Sequence, residues 1–253
     1  MNSIETNIKL HSVEAIETAI REENLTELTS IIQEAIKVKG YIHITNQMST
    51  EFFETIGNQL GKVLTMTDVK VDKISEKKAI NARAYRGKDR PITYSAKEIS
   101  FHSDSPIQKL IGFYCIEQDE IDGSLMMLDM EPIMEHLSEE ELSILKSIKV
   151  NWANLEDGKE VINEACLFSE GRDNVEVYYA SWHLQQKISA NQQEVLTRFQ
   201  NFIKQTQEQQ LLKIRLKKGE TIFVNNRRML HAREKIADNS KRHIIRLGIG
   251  SAV

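Results

Sequence analysis

Apolar and polar positions recur along the chain with two different periods. In residues 26–39 apolar side chains follow one another at three- and four-residue spacing, which predicts an amphipathic helix that ends at Gly40. Residues 49–61 begin with a Ser-Thr cap and an acid and predict a second helix. Residues 138–148 and 191–212 carry the same helical pattern, and the latter is the longest.

Strand patterns dominate the rest of the chain. Short runs with alternating or continuous apolar character predict strands in residues 98–104, 110–117, 124–130, 175–182 and 241–250. There is no regular alternation of strands and helices, so a parallel sheet is not expected. The pattern predicts one α+β domain over residues 1–253, built on an antiparallel sheet or barrel. The polar stretch at about 65–92 is predicted to consist of strands joined by loops, and it is expected to be a lid or a surface loop region.

Composition narrows the classes of partner. The chain has 253 residues, a net charge of -4 and a pI of about 6.0, so no bulk attraction to nucleic acid or anionic membrane is expected. No apolar run approaches the length of a membrane span, and the N-terminus has no signal-peptide pattern. The two cysteines are far apart, and Cys115 lies in an apolar run, which indicates a reducing, cytoplasmic location.

The stretch "FHSDSP" places two metal-binding side chains two residues apart. In a regular strand, Glu98, Ser100, His102 and Asp104 share one face, and such a polar face needs hydrogen-bonding partners or a metal. A third ligand is available in His231, which follows a glycine turn and an apolar strand. Two histidines and one carboxylate are the ferrous facial triad, whereas zinc with the same ligands typically performs hydrolysis. Residues 225–228 are expected to brace the loop that presents His231.

Two arginines follow in the last predicted strand. Arg242 and Arg246 are four residues apart and therefore lie on one face of the strand. Buried guanidinium groups are costly unless they meet anions, and arginine suits bidentate carboxylate binding. A dicarboxylate cosubstrate would supply that charge.

Taken together, the segments "FHSDSP", "IGFYCIEQDEIDGSLMMLDM", "LKKGETIFVNNRRMLHAR" and "RHIIRL" resemble the Fe(II)/2-oxoglutarate-dependent oxygenases of the taurine dioxygenase superfamily, and most closely their clavaminate-synthase-like branch. The resemblance implies a double-stranded β-helix (jelly-roll) core with flanking helices. It also implies that Fe(II) is bound by His102, Asp104 and His231.

The same resemblance assigns the cosubstrate and substrate contacts. Arg242 corresponds to the arginine that grips the far carboxylate of 2-oxoglutarate, and Arg246 to the one that faces the substrate, although the two roles can be exchanged. Ser124, in "DGSL", stands where the family usually has Gly-Gly-x-Thr and assists 2-oxoglutarate. Glu98 and Ser100 are expected on the substrate side.

The predicted reaction is O₂-dependent hydroxylation of an unactivated C–H bond, with release of succinate and CO₂. The expected substrate is a small amino-acid-like molecule, free or bound to a carrier protein, with Glu98 meeting its ammonium group and Arg246 its carboxylate. Asp104 argues against halogenation, because iron halogenases lack that carboxylate. Desaturation, ring closure and isocyanide formation remain open, as do a zinc-type hydrolase and a non-catalytic jelly-roll binding protein.

Overall fold

Two antiparallel sheets form the centre of the structure, a computed structural model that describes residues 14–70, 97–156, 159–170, 175–180, 184, 188–238 and 240–251. The larger sheet has five strands, in the order β1 (Tyr41–Ile44), β11 (Thr221–Asn225), β4 (Leu110–Glu117), β13 (His243–Ile249) and β2 (Val63–Lys70). The smaller sheet has four, in the order β10 (Leu212–Ile214), β5 (Leu125–Asp129), β12 (Met229–Arg233) and β3 (Ile99–His102).

Two short hairpins lie outside these sheets. Strand β6 (Lys149–Glu156) pairs with β7 (Lys159–Cys166), and β8 (Phe168–Glu170) pairs with β9 (Val175–Val177).

Helices cover the outer face of each sheet. The first group is α1 (residues 14–21), α2 (Leu25–Lys39) and α3 (Thr50–Leu60), which bury apolar side chains against the five-stranded sheet. The second group is α4 (Glu131–Glu135), α5 (Glu139–Ser147) and α6 (Ala190–Gln210), which pack on the four-stranded sheet. Apolar residues from both sheets fill the space between them, so the layers run helix, sheet, sheet, helix. This is the predicted jelly-roll core with flanking helices.

Local capping explains where the helices begin and end. The Asn24 side chain accepts a hydrogen bond from the Glu27 N–H at the start of α2, and Gly40 ends that helix with a φ of 77°. Ser49 caps α3 in the same way. Ser138 and Glu141 form a reciprocal capping box at the start of α5. The helices predicted from the apolar spacing are therefore confirmed.

The strands depart from the predictions in several places. The strand predicted over residues 98–104 stops at His102, and the one predicted over 175–182 stops at Val177. The basic loop expected around His231 is the strand β12, all five residues of which are buried. The hairpin formed by β6 and β7 was not predicted. Of the lid or loop proposed at about 65–92, residues 65–70 belong to β2 and the part from 71 lies outside the described residues.

No helix in the described part of the chain combines the length and the apolar character that a membrane crossing needs.

Phe53 is the most informative position at which to test the packing of α3 on the sheet. Its side chain is fully buried and stacks on Tyr114 and Phe223, with ring centroids 5.4 and 5.5 Å away. We expect Phe53→Ala to lower the free energy of unfolding by about 3–5 kcal/mol in urea denaturation, because it leaves a cavity. Val38→Ala, at a position 53% exposed, should change it by less than about 0.5 kcal/mol. Equal losses in both variants would contradict this packing.

Candidate metal centre

His102 is the last residue of β3, and its side chain is largely buried, with 12% exposed. Its Nδ1 lies 2.8 Å from the carbonyl oxygen of Ser100. Because a carbonyl oxygen only accepts hydrogen bonds, Nδ1 carries a proton, and in the neutral imidazole the lone pair is then on Nε2. This is the tautomer in which Nε2 binds a metal.

His231 lies directly opposite, on the neighbouring strand. The pairing of β12 with β3 places it across from His102, and the two ring centroids are 4.4 Å apart. Burial, followed by the nearby His102, lowers the pKa of His231 to about 3, so its imidazole is neutral. Its Nδ1 is buried and has no hydrogen-bond partner among the described residues.

Asp104 completes the group from a loop, not from the strand. Its carboxylate oxygens lie 3.8 Å from the Nε2 of His102 and 3.7 Å from the Nε2 of His231. One ligand atom from each of these three residues falls within 4.8 Å of the others. Ser103, which lies between His102 and Asp104 in the sequence, is turned away from them and donates its backbone N–H to the carbonyl oxygen of Tyr179 at 2.7 Å. The three predicted ligands therefore converge, and two imidazoles with one carboxylate fit a divalent transition metal.

Arg246 contacts this group from the opposite sheet. Its Nη1 donates to both carboxylate oxygens of Asp104, at 3.1 Å each. Arg246, which was predicted to face the substrate, thus binds Asp104, a predicted metal ligand. The positive charge of Arg246 balances the negative charge of the Asp104 carboxylate.

Arg242 lies four residues earlier, just before β13, and is 7% exposed. Its Nε donates to the Oε1 of Gln118 at 3.1 Å. Burial, and then the nearby Arg233, lowers the pKa of Arg242 to about 10, so the side chain stays charged at neutral pH. Gly123, with a φ of 83°, packs so closely that a Cβ there would lie 3.0 Å from the Arg242 side chain.

A cavity between the sheets joins these side chains. Its lining comes from β3, β4, β5, β12 and the region of β13, and it consists of Ile99, His102, Phe113, Leu125, His231, Ala232, Arg233, Arg242, Ile244 and Arg246. As the spacing predicts, Arg242, Ile244 and Arg246 share one face. The lining is mostly apolar but carries three arginines, so it suits an anionic ligand.

The other predicted contact residues lie elsewhere. Ser124 is buried and hydrogen-bonds to Glu234, and it does not contribute to the cavity lining. Glu98 and Ser100 are exposed, and neither lines the cavity.

Three residues of the site received no individual role from the sequence. Arg233 lines the cavity, Gln118 contacts Arg242, and the side chain of Asn226 accepts a hydrogen bond from the backbone of Asp104. For Arg233 a signal existed, because it is a charged residue two positions after His231 in a buried strand and so shares its face. Gln118 had no comparable signal.

Residues 7–247 of the chain match a protein family that is described as "Taurine catabolism dioxygenase TauD, TfdA family". It belongs to this dioxygenase family, which confirms the resemblance predicted from the sequence.

A curated relative and two solved structures extend the comparison. The taurine hydroxylase-like protein SAT17 of Stachybotrys chartarum (strain CBS 109288 / IBT 7711) is 25% identical over 203 residues, or 74% of this chain, and the match spans about half (50%) of that longer protein. Asparagine oxygenase in complex with Fe(II), 2S,3S-3-hydroxyasparagine and succinate aligns with a TM-score of 0.64 and 15% identity, covering 95% of this chain and 84% of that one. AAD-2 in complex with Mn(II) and N-oxalylglycine aligns with a TM-score of 0.64 and 12% identity, covering 89% and 88%. At these identities the two structures support the fold.

Asp119 offers a test of the segment that carries Arg242. Burial alone would raise the pKa of this carboxyl group, but hydrogen bonds from the Asp122 backbone, Ser240, and the Ile121 and Ala237 backbones lower it to about 2. Because the pKa of Asp119 is lower in the folded than in the unfolded protein, its ionised carboxylate stabilises the fold. This stabilisation is complete above about pH 4, the pKa of an unfolded aspartate, and is lost as the pH falls through about 2. We expect Asp119→Asn to be less stable than wild type at pH 7 by up to about 2 kcal/mol in urea denaturation. The difference should shrink between pH 4 and pH 2, and a difference that is constant with pH would contradict this assignment.

Proposed function

We propose that this protein is an Fe(II)- and 2-oxoglutarate-dependent oxygenase that hydroxylates an unactivated C–H bond of a small amino-acid-like substrate, free or carrier-bound. The observation that carries the proposal is the convergence of His102, Asp104 and His231 beside a cavity that also contains the buried Arg242. Membership of a dioxygenase family supports it.

The donor set favours a ferrous ion. Two imidazoles and one carboxylate bind one face of an octahedral ion and leave positions open for a chelating cosubstrate and O₂. When bound, Fe(II) with 2-oxoglutarate supplies O₂-dependent oxidation of a C–H bond, with succinate and CO₂ as products. The AAD-2 and asparagine oxygenase structures contain Mn(II) and Fe(II) respectively, which supports a divalent metal here.

The protein's own residues would prepare this chemistry in three ways. His102 presents Nε2 because the Ser100 carbonyl holds the proton on Nδ1. Arg242 would bind the far carboxylate of 2-oxoglutarate in a bidentate manner, with its Nε already held by Gln118. Apolar lining residues such as Phe113 and Ile244 would exclude water from the reacting atoms.

A zinc-type hydrolase and a non-catalytic jelly-roll protein are the competing functions. The ligands alone do not separate them, since zinc can use the same three side chains with one bound water. The buried arginines favour the oxygenase, because a hydrolase of this kind has no need of a dicarboxylate grip.

An amino-acid-like substrate is supported by the bound 3-hydroxyasparagine of the asparagine oxygenase structure. In this proposal Arg246 meets the substrate carboxylate while its Nη1 holds Asp104. Glu98 meets the ammonium group, and Ser100 lies on the same substrate side. Ser124 would assist 2-oxoglutarate through the turn that packs on Arg242.

Desaturation, ring closure and isocyanide formation use the same metal ligands, because the placement of the substrate selects among these reactions. The cytoplasmic location stays a prediction.

The metal and cosubstrate are tested together by spectroscopy without oxygen. Fe(II) plus 2-oxoglutarate should give the visible charge-transfer band of the chelate in the wild-type protein. We expect Arg242→Ala to weaken 2-oxoglutarate binding, measured by titrating that band, by roughly 30-fold or more, because it removes a buried charge partner. Arg198→Ala is the matched control, since this arginine lies on α6 and pairs with Glu141. Absence of the band in wild type would exclude the proposal, whereas a band unaffected by Arg242→Ala would exclude only the role of Arg242.

The substrate class is tested by succinate release. Under aerobic turnover with Fe(II) and 2-oxoglutarate, we expect at least one free amino acid or carrier-bound aminoacyl group to stimulate succinate formation. Glu98→Gln should raise the KM for that substrate, because it removes the charge that would meet the ammonium group. An unchanged KM would remove Glu98 from the substrate site and leave the oxygenase assignment intact.

A further inference from the structure

Asn226 is fully buried in the turn between β11 and β12, and its side chain serves the loop that carries Asp104. Its Oδ1 accepts the backbone N–H of Asp104 at 2.8 Å. Its Nδ2 donates to the carbonyl oxygen of Gln108 at 2.7 Å and to that of Ser105 at 3.4 Å. Its backbone N–H donates to the carbonyl oxygen of Lys109 at 3.0 Å. One residue therefore binds the loop at four places.

The loop needs such support because it lies between two strands. Strand β3 ends at His102 and β4 begins at Leu110, so Asp104 lies in the loop between two strands. Ser103 is held by Tyr179, through its backbone N–H and through its hydroxyl group, which accepts the Tyr179 N–H at 2.9 Å. At Asp104 the acceptor is instead the amide side chain of Asn226.

We propose that Asn226 is a positioning residue for the metal ligand Asp104, an inference that rests on the proposed function. The turn that contains Asn226 leads directly into β12, which carries His231. The amide thus fixes the Asp104 loop relative to the strand of the opposite ligand. Without it, the Asp104 loop loses its link to the turn before β12. The carboxylate, still held by Arg246, is then placed less firmly beside the two imidazoles, and metal affinity falls.

The adjacent asparagine provides a contrast within the same turn. Asn225 builds the turn itself, because its Oδ1 accepts the Arg227 N–H at 2.9 Å and its backbone carbonyl accepts the Arg228 N–H. Its backbone N–H donates to the Gly40 carbonyl oxygen. Asn225→Ala is therefore a matched control: it removes the same side chain one position away, and the hydrogen bond that it loses is to Arg227 and not to the Asp104 loop.

The test is Mn(II) binding to the apoprotein, followed by loss of the free-ion EPR signal, with thermal unfolding measured on the same samples. We expect Asn226→Ala to weaken Mn(II) binding by roughly 10- to 100-fold, the usual effect of losing a residue that orients a metal ligand. Asn225→Ala should stay within about 3-fold of wild type. For Asn226→Ala at saturating Fe(II), 2-oxoglutarate affinity measured by the charge-transfer band should be unchanged, because Arg242 does not contact Asn226.

Several outcomes separate the alternatives. Wild-type Mn(II) affinity in Asn226→Ala, with or without a lowered Tm, would overturn the proposal, as would an equal loss of affinity in Asn225→Ala. If Asn226→Ala does not fold, Asn226→Ser is measured in the same way. Failure of both to fold while Asn225→Ala folds would assign Asn226 to the fold and reject the positioning role. His231→Ala tests the metal site itself: if it leaves wild-type Mn(II) binding unchanged, the proposed function fails and not only this inference.

Discussion

The pairing of β12 with β3 is the constraint on which the site depends. This antiparallel register sets His231 opposite His102, and β12 is also paired on its other side with β5. A shift of one residue would turn every side chain of β12 to the opposite face. The register is strongly specified, because all five residues of β12 are buried. The two imidazoles are therefore brought together by the same packing that builds the core.

Charge balance is the second constraint. Arg233, Arg242 and Arg246 line a cavity whose other members are mostly apolar, and among its described lining residues none is acidic. Each buried guanidinium must recover the hydrogen bonds that it loses on leaving water. Arg246 recovers some of them from the Asp104 carboxylate, Arg242 from the Gln118 amide, and Arg233 from the carbonyl oxygen of Lys97 at 2.5 Å. The buried Nε of Arg246 has no hydrogen-bond partner among the described residues. The cavity retains an excess of positive charge, which favours anionic ligands.

Sequence reasoning was most successful where a local rule decides the outcome. Caps and apolar spacing located α2, α3, α5 and α6, and the common face of Arg242 and Arg246 followed from strand periodicity. It was less successful where tertiary contacts decide. A regular strand through Asp104 was expected, but contacts with Tyr179 and Asn226 replace the ladder beyond His102. The β6–β7 hairpin was missed although its sequence contains an Asp-Gly pair, a known turn signal.

The position of Arg246 bears on how the two arginines divide their roles. Because Arg246 touches Asp104, it lies next to the three ligand atoms. Arg242 is four residues away along the chain, a separation of roughly 13 Å for extended backbone. A five-carbon dicarboxylate that chelates a metal through one end presents its other carboxylate away from the metal. In the proposed function that geometry favours Arg242 as its partner. It leaves Arg246 beside the three ligands, with an Nε that has no hydrogen-bond partner among the described residues and can bind a substrate carboxylate while Nη1 holds Asp104. A substrate carboxylate bound there would therefore share Arg246 with Asp104, so the proposed substrate and the proposed metal ligand would be balanced by the same positive charge.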